Sequence, residues 1–404
     1  MTLSLKVEPK IKGFICTTAH PLGCKASVER QIRFVQSHPS FQGPQRVLVI
    51  GASTGYGLAS RIALAFGAHA STIGVSFERP ASDKRTASAG WYNTVAFEKA
   101  AAQSGLKAHS INGDAFSEGI KAQTIQAIQD IMGQVDCVIY SLASPRRTDP
   151  QTGEVYQSTL KPIGEVYHST TIDTQNGELK PVSMDPATEE DIRQTVAVMG
   201  GDDWALWIEH LMKAGVLAKG ALTMAYSYIG PELTFPIYKN GTIGRAKDHL
   251  LATARKLSQT MAPLQGRALI SVNKVLVTQA SSAIPVVPLY ISMLYKIMKQ
   301  KGLHEGCIEQ MYRLFAQKLQ HFEVDPEGRV RLDDWEMRAD VQSEINQRWP
   351  TVTAENVLGL IDLVGYRTDF LNLFGFGVEG VDYTPEVQVD LEIPSIPPLV
   401  DHCE

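Results

Sequence analysis

The chain has 404 residues, 20% charged and 44% hydrophobic, with a formal net charge of −5; that length suits two or three domains, or one large α/β domain with insertions. The mild acidity excludes a global basic field that would recruit nucleic acid or an anionic membrane. With no apolar signal segment near Met1, a most lipid-like stretch (280–298) broken by Pro285 and Pro288, and five scattered cysteines, the expectation is a soluble cytoplasmic protein without a disulfide framework.

A short apolar run, Phe14-Ile15-Cys16, precedes a helical pattern with Val28, Ile32 and Val35 at i, i+4 and i+7, and Gly43-Pro44 closes this N-terminal unit, 1–44. From residue 45 the chain alternates. Strands are predicted at Arg46–Ile50, His69–Phe77, Ala108–Asn112 and Val135–Leu142, with helices at Gly57–Phe66, Tyr92–Ser104 and Thr124–Met132. Such spacing argues for parallel βαβ units. Residues 145–186 break the rhythm; they are polar and turn-rich, and Gly153-Glu154-Val155-Tyr156 is echoed by Gly164-Glu165-Val166-Tyr167, which predicts an insertion of small hairpins. Helices resume at Glu189–Val198 and after Gly200-Gly201, where Asp202 or Asp203 can cap a helix burying Trp204, Ile208 and Leu211. A strand at Ala221–Tyr228, a helix near Ile243–Met261 and a strand at Ala268–Val272 complete the sheet. The fold class expected is α/β, a Rossmann-type doubly wound parallel sheet with helices on both faces. It would form a single domain with its nucleotide-binding core at 45–280 and a substrate lid and C-terminal extension at 281–404.

The strongest local signal is Gly51-Ala52-Ser53-Thr54-Gly55-Tyr56-Gly57, between a buried strand and a helix. Gly51 permits the tight turn, Gly55 lets backbone N–H groups approach a pyrophosphate, and Gly57 allows close helix–strand packing, with the helix N-terminus facing the phosphates. The second strand ends at Phe77-Glu78. A carboxylate there accepts ribose hydroxyls and repels a 2′-phosphate, favouring NADH over NADPH, although Arg79, Lys84 and Arg85 leave NADPH open. Asp114 and Ala115, after the third strand, stand where an adenine edge would be read; Leu142 and Ala143 end the fourth beneath a nicotinamide ribose.

Tyr238 is the catalytic candidate. Reduction by hydride needs a hydrogen-bond or proton donor at the oxygen that gains charge, and a phenol of ordinary pKa is a poor acid unless a cation stabilises its phenolate. Lys247 would be that cation and would also hold the nicotinamide ribose. Nine residues apart on one unbroken helix the two would point oppositely; Gly241 and Gly244 argue that Tyr238 precedes the helix and Lys247 lies in its first turns. Tyr226 and Tyr228 share a strand face, with Tyr228 the better placed for a substrate oxygen and Tyr226 for core packing.

These residues resemble the FabV class of enoyl-acyl-carrier-protein reductase and the related trans-2-enoyl-CoA reductases. The likeness rests on Gly51–Gly57, the Tyr238-x8-Lys247 pair, Tyr226-Ser227-Tyr228-Ile229-Gly230-Pro231, Leu276-Val277-Thr278-Gln279-Ala280 and Gly200-Gly201-Asp202-Asp203-Trp204, and spans essentially the whole chain. The x8 spacing sets it apart from ordinary short-chain dehydrogenases. The resemblance implies NADH-dependent reduction of a trans-2-enoyl thioester, on acyl carrier protein or coenzyme A, with hydride to Cβ. It also implies Tyr238 as proton or hydrogen-bond donor, Lys247 on the cofactor, Tyr228 on the substrate, Leu276, Val277 and Thr278 against the nicotinamide, and a monomer.

Two rivals stay open at this level: a carbonyl reductase using the same Tyr and Lys, and a nucleotide sensor without catalysis. The apolar run 283–294 would wall an acyl chain or be plain helix core. Lys296, Lys299, Lys301 and Arg313 would form a basic rim for an acidic carrier or simply a solvated face. Cys16, His20 and Cys24 lack a fourth ligand for zinc, with Pro21 and Gly23 expected to interrupt any helix, and no metal site is expected.

Overall fold

Seven parallel strands make the central sheet: β1 (Arg46–Ile50), β2 (Ser71–Ser76), β3 (Ala108–Asn112), β4 (Val135–Tyr140), β5 (Leu217–Ser227), β6 (Arg267–Val272) and β7 (Arg329–Arg331). Their spatial order is β7-β6-β5-β4-β1-β2-β3, so the winding reverses between β1 and β4, which is where open α/β sheets bind nucleotides. The computed structural model describes residues 3–13, 15–282 and 284–397. Phe14 and Ala283, singled out in the sequence, and Cys403 lie outside the described residues.

The two sheet faces follow from the period of two along each strand. On β1, Val47 and Val49 point one way, towards α1 (Pro21–Gln36), α2 (Gly55–Gly67) and α3 (Ala89–Gln103). Leu48 and Ile50 point the other way, towards α4 (Glu118–Ile131), α6 (Asp202–Lys213) and α7 (Thr242–Thr260), where Trp204, Trp207, Leu250 and Leu257 are buried, with α5 (Glu189–Met199) packed against α7. A third core lies apart from these faces. At its centre is α8 (Val287–Gln300), apolar nearly all round and buried accordingly. Around α8 pack α10 (Ala339–Arg348), α11 (Leu363–Asn372) and the hairpin Tyr167–Ile172/Leu179–Met184, while α9 (Cys307–Arg313) covers α2. No helix among the described residues is long and apolar enough to cross a membrane.

The structure departs from the sequence-based expectation in several places. The sheet does not end at β6, because the three residues of β7 pair with it in parallel. Pro21 does not interrupt a helix; it starts α1, where its missing N–H is no loss, and His20 Nδ1 accepts the Gly23 N–H as the cap. Neither Asp202 nor Asp203 caps α6, whose N-cap is Gly201. Asp203 is instead buried, 2.8 Å from Lys121 Nζ and 3.0 Å from the Tyr140 hydroxyl, pinning α6 to α4 and β4. The echoed tetrapeptides are not equivalent: the first runs from a turn into the second strand of the hairpin Arg146–Thr148/Val155–Gln157, and the second leads into the first strand of the next hairpin. Residues 287–294 lie in a helix enclosed on several sides, a place that suits both readings of that run, acyl-chain wall and plain helix core.

Candidate active site

The carboxyl ends of the strands are laced together by backbone hydrogen bonds. Gly113 N–H donates to Ser76, Gly51 and Ala52 to Val75, Ser141 to Ile50, Asn273 to Ser227, and Leu332 and Asp333 to Val272. The loops that follow β1 to β7 therefore form one continuous edge. In the loop after β1, Gly51 has φ +86° and a Cβ there would lie 2.2 Å from the Ser141 carbonyl oxygen; at Gly57 it would lie 1.9 Å from the Gly51 oxygen. At Gly55, φ +54°, a Cβ would meet nothing, leaving open space over the turn. Helix α2 starts here without a side-chain cap bond from Thr54 and without an acid in its first turn. Free N–H groups and a positive dipole end suit a pyrophosphate, so these residues fit a dinucleotide.

Glu78 is held ready beside that turn. Its carboxylate accepts the Ser53 hydroxyl at 2.6 Å and the Ser88 hydroxyl at 2.5 Å, while its backbone exchanges hydrogen bonds with the Asn112 side chain. Phe77, next to it, is 77% exposed. Arg79, Lys84 and Arg85 are exposed. Asp114 accepts the Phe116 N–H, and the Ala115 carbonyl is taken by Lys121 and Trp207, so part of this loop's polarity is already committed. Leu142 lies over Gly51, and Ala143 is exposed. Leu276 and Val277 are buried and tied by Ser281 and Tyr295, with Thr278 at their end.

Tyr238 sits in a tight turn before α7, and Lys247 is in the second turn of that helix. Gly244 is needed by close approach, since a Cβ there would fall 1.9 Å from the Lys239 carbonyl oxygen. Lys247 is half-buried, its Nζ 3.2 Å from the Tyr226 carbonyl oxygen, and burial pushes its pKa down to about 8. Tyr238 is 8% exposed, and burial raises its phenol above the ordinary tyrosine range, chiefly by desolvation and then by the nearby Glu336 charge. Its ring meets that of Tyr228 edge-on, centroids 4.8 Å apart. Tyr226 is a packing residue whose hydroxyl meets Ser60, and Tyr56 donates to the Lys274 carbonyl. Among the described residues, no protein group hydrogen-bonds the Tyr238 hydroxyl.

Sequence reading overlooked three supports of this edge. Glu336, fully buried, accepts the Tyr228 hydroxyl at 2.9 Å. Ser88 and Asn112 brace Glu78. Thr242, the first residue of α7, is buried under Thr159–Pro162 of the insertion: its N–H donates to Lys161 O, its hydroxyl bonds to Thr159 O, and Lys161 N–H returns to it. None carries a local sequence signal, because a lone serine, asparagine, threonine or glutamate does not say which group it will meet, from 10 residues away for Ser88 to 108 for Glu336. The four basic residues offered as a rim or a solvated face are each engaged within the chain, Arg313 as a buried group. Lys299 pairs with Asp362, Lys301 with Asp340 and Glu344, Arg313 with Glu305 and Asp334, and Lys296 donates to Gly359 O.

Comparison with known proteins gives the same picture along the whole length. Residues 85–320 match the family described as the trans-2-enoyl-CoA reductase catalytic region, residues 6–83 the NAD(P)H binding domain of trans-2-enoyl-CoA reductase, and residues 324–387 the enoyl reductase FAD binding domain. The chain is 63% identical over 396 residues to an enoyl-[acyl-carrier-protein] reductase [NADH] of Coxiella burnetii, covering 96% of this chain and 98% of the relative. It is 57% identical to that of Flavobacterium johnsoniae, covering 96% and 99%. Among solved structures, Clostridium acetobutulicum trans-2-enoyl-CoA reductase in complex with NADH superposes with a TM-score of 0.94 at 42% identity, covering 97% of this chain and 100% of that one. The Treponema denticola enzyme in complex with NAD gives 0.93 at 49%, covering 96% and 100%. Residues 324–387 do not fit a flavin: Val341, Ile345, Tyr366 and Phe370 are buried in the core around α8 rather than lining a cradle.

Proposed function

The chain belongs to the trans-2-enoyl-CoA reductase family, and from that premise we propose that Tyr238, Lys247 and Tyr228 carry its reaction. It is an NADH-dependent oxidoreductase that reduces trans-2-enoyl thioesters, on acyl carrier protein or coenzyme A, in fatty-acid synthesis. When bound, NADH supplies the hydride, which goes to Cβ of the enoyl group. The protein has to fix the two reactants and stabilise the oxygen on which charge develops. Within the turn 51–57, Gly51 and Ala52 give their N–H groups to Val75 and shape the loop. The N–H groups of Ser53, Thr54, Gly55, Tyr56 and Gly57 would hold the pyrophosphate, and Glu78 would accept the adenosine ribose hydroxyls. Phe77, Asp114 and Ala115 flank the adenine end. Leu142, Ala143, Leu276, Val277 and Thr278 enclose the nicotinamide end, with Lys247 on its ribose.

Tyr238 donates to the thioester oxygen as it becomes an enolate, and Tyr228 holds the same end of the substrate. What supports this reading is the pairing of a buried, protonated phenol that has no hydrogen-bond partner among the described residues with a second tyrosine in edge contact 4.8 Å away. A phenol kept protonated by its burial is a hydrogen-bond donor throughout the neutral range. Tyr238→Phe is expected to lower crotonyl-CoA turnover about 100-fold or more while NADH still binds, read by NADH oxidation and by fluorescence titration. Unchanged turnover overturns the assignment.

The protein is further taken to be one elaborated domain acting as a cytoplasmic monomer. All three matched segments contribute strands to one sheet, and the four cysteines among the described residues are free. Light scattering should return the 44.3 kDa of one chain; twice that mass overturns the monomer.

A further inference from the structure

Glu336 reaches the site from the turn after β7, and its side chain is the meeting point of three separate elements. Its Oε1 accepts the hydroxyl of Tyr228, beyond β5, at 2.9 Å and that of Tyr290, on the first turn of α8, at 2.8 Å. Its Oε2 accepts the N–H of Val275, in the loop that leads to Leu276–Thr278, at 2.9 Å. The residue is 0% exposed. Gln342 braces the group from α10, donating to the Glu336 carbonyl at 2.7 Å and to the Tyr290 hydroxyl at 3.3 Å. Lys274, also buried, is the cation facing this carboxylate; its Nζ donates to the Val275 carbonyl at 3.2 Å.

A carboxylate taken wholly out of water is costly, and apolar residues of similar volume often fill such a place at no loss of stability. Fold alone therefore gives little reason for an acid here. The donors it collects are not arbitrary: one is the phenol assigned to the substrate, one belongs to the buried helix α8, and one to the loop assigned to the nicotinamide end. We propose that Glu336 is a positioning residue for the reaction, holding the Tyr228 phenol at the place from which it meets the thioester oxygen.

The proton count agrees with that role. Tyr228 has one hydroxyl proton, and in this arrangement it is donated in the hydrogen bond to Glu336. When it turns to a thioester oxygen, Glu336 keeps Tyr290 and Val275 N–H as donors and Lys274 as counter-charge, so no buried acceptor is stripped. The Tyr238 ring against the Tyr228 edge limits how far the phenol can swing. The proposal rests on the reading that Tyr228 holds substrate, and the test separates the two.

Tyr228→Phe, Glu336→Gln and the double variant are compared in steady-state reduction of crotonyl-CoA by NADH, alongside NADH binding by fluorescence. Glu336→Gln is expected to lower kcat/KM about tenfold, with the NADH dissociation constant changed less than about twofold. In the Tyr228→Phe background the same substitution should do almost nothing further, because the group it positions is gone. Additive losses, or unchanged kcat/KM in Glu336→Gln, overturn the role of Glu336 while leaving Tyr228 on the substrate. Unchanged kcat/KM in Tyr228→Phe overturns both. If Glu336→Gln does not fold, Glu336→Asp, which keeps the charge and shortens the reach, is run through the same cycle with the same criteria.

Discussion

The site's tyrosines are sorted by what their hydroxyls touch. Tyr56 donates to a backbone carbonyl, Tyr226 meets Ser60, and Tyr228 and Tyr290 share Glu336. Among the described residues no group takes the Tyr238 hydroxyl, which leaves that donor for a reacting oxygen, and this makes the charge on Lys247 the group to watch. Burial lowers the Lys247 pKa from 10.5 to about 8, so the ammonium that would hold the nicotinamide ribose is lost as pH rises through that value. NADH affinity is expected to weaken from pH 7 to 9.5 with a midpoint near 8. Lys247→Gln should bind NADH more weakly and without that limb. Lys274 is lowered to about 8 as well and remains in the variant, so a limb that survives Lys247→Gln assigns the titration to Lys274 instead. Stability runs the other way. Between about 8 and 10.5 the unfolded chain binds the proton that the folded lysine has released, so this lysine's contribution to stability rises with pH across the window. An affinity that falls while stability rises marks a group strained for use.

At the scale of elements, the insertion is more than an appendage. Its strand-like passage Thr159–Pro162 lies along Gly241–Thr242 and fixes where α7 begins, and so fixes the turn that carries Tyr238. Thr242→Val keeps the shape and deletes the hydroxyl, leaving the Lys161 N–H and Thr159 carbonyl without that partner. The expected cost is about 1–3 kcal/mol by urea unfolding, with kcat reduced and NADH affinity kept. Full kcat at reduced stability would make the passage a support of the fold alone. The elements themselves were legible wherever apolar period and turn chemistry agreed: β1, β3 and the start of the glycine turn fall where the sequence places them, as does the break before α7. The strand β7 was not, because its three residues, Val330 between Arg329 and Arg331, carry no period to read. Glu336 and Thr242 were invisible for a different reason. Their partners lie 108 and 83 residues away, and a lone glutamate or threonine says nothing about which distant group will fold onto it. Asp203 was misread because an acid just before an apolar run has two uses, cap or buried anchor, and only the position of Lys121 decides between them.

For the molecule as a whole, the sheet gathers its strands from residue 46 to residue 331, across all three segments that match family descriptions. The charge balance is local too. Near α8, Lys299, Lys301 and Arg313 are paired with acids of the C-terminal part, Asp362, Asp340, Glu344 and Asp334. Removing residues 324–404 would therefore do three things at once. It would open the β6 edge that β7 covers, uncover α8 where Val341, Ile345, Tyr366 and Phe370 pack, and leave Tyr228, Tyr290 and the Val275 N–H without Glu336. Four large apolar side chains at about 1.5–3 kcal/mol each, with the stranded donors at about 1–3 kcal/mol each, amount to the whole of an ordinary domain's stability of about 5–15 kcal/mol. A 1–323 fragment is expected to be insoluble, or expanded and unable to bind NADH, by gel filtration and fluorescence titration. A soluble fragment with undiminished NADH affinity would show that the C-terminal part is a separable domain, and that the sheet stands without its seventh strand.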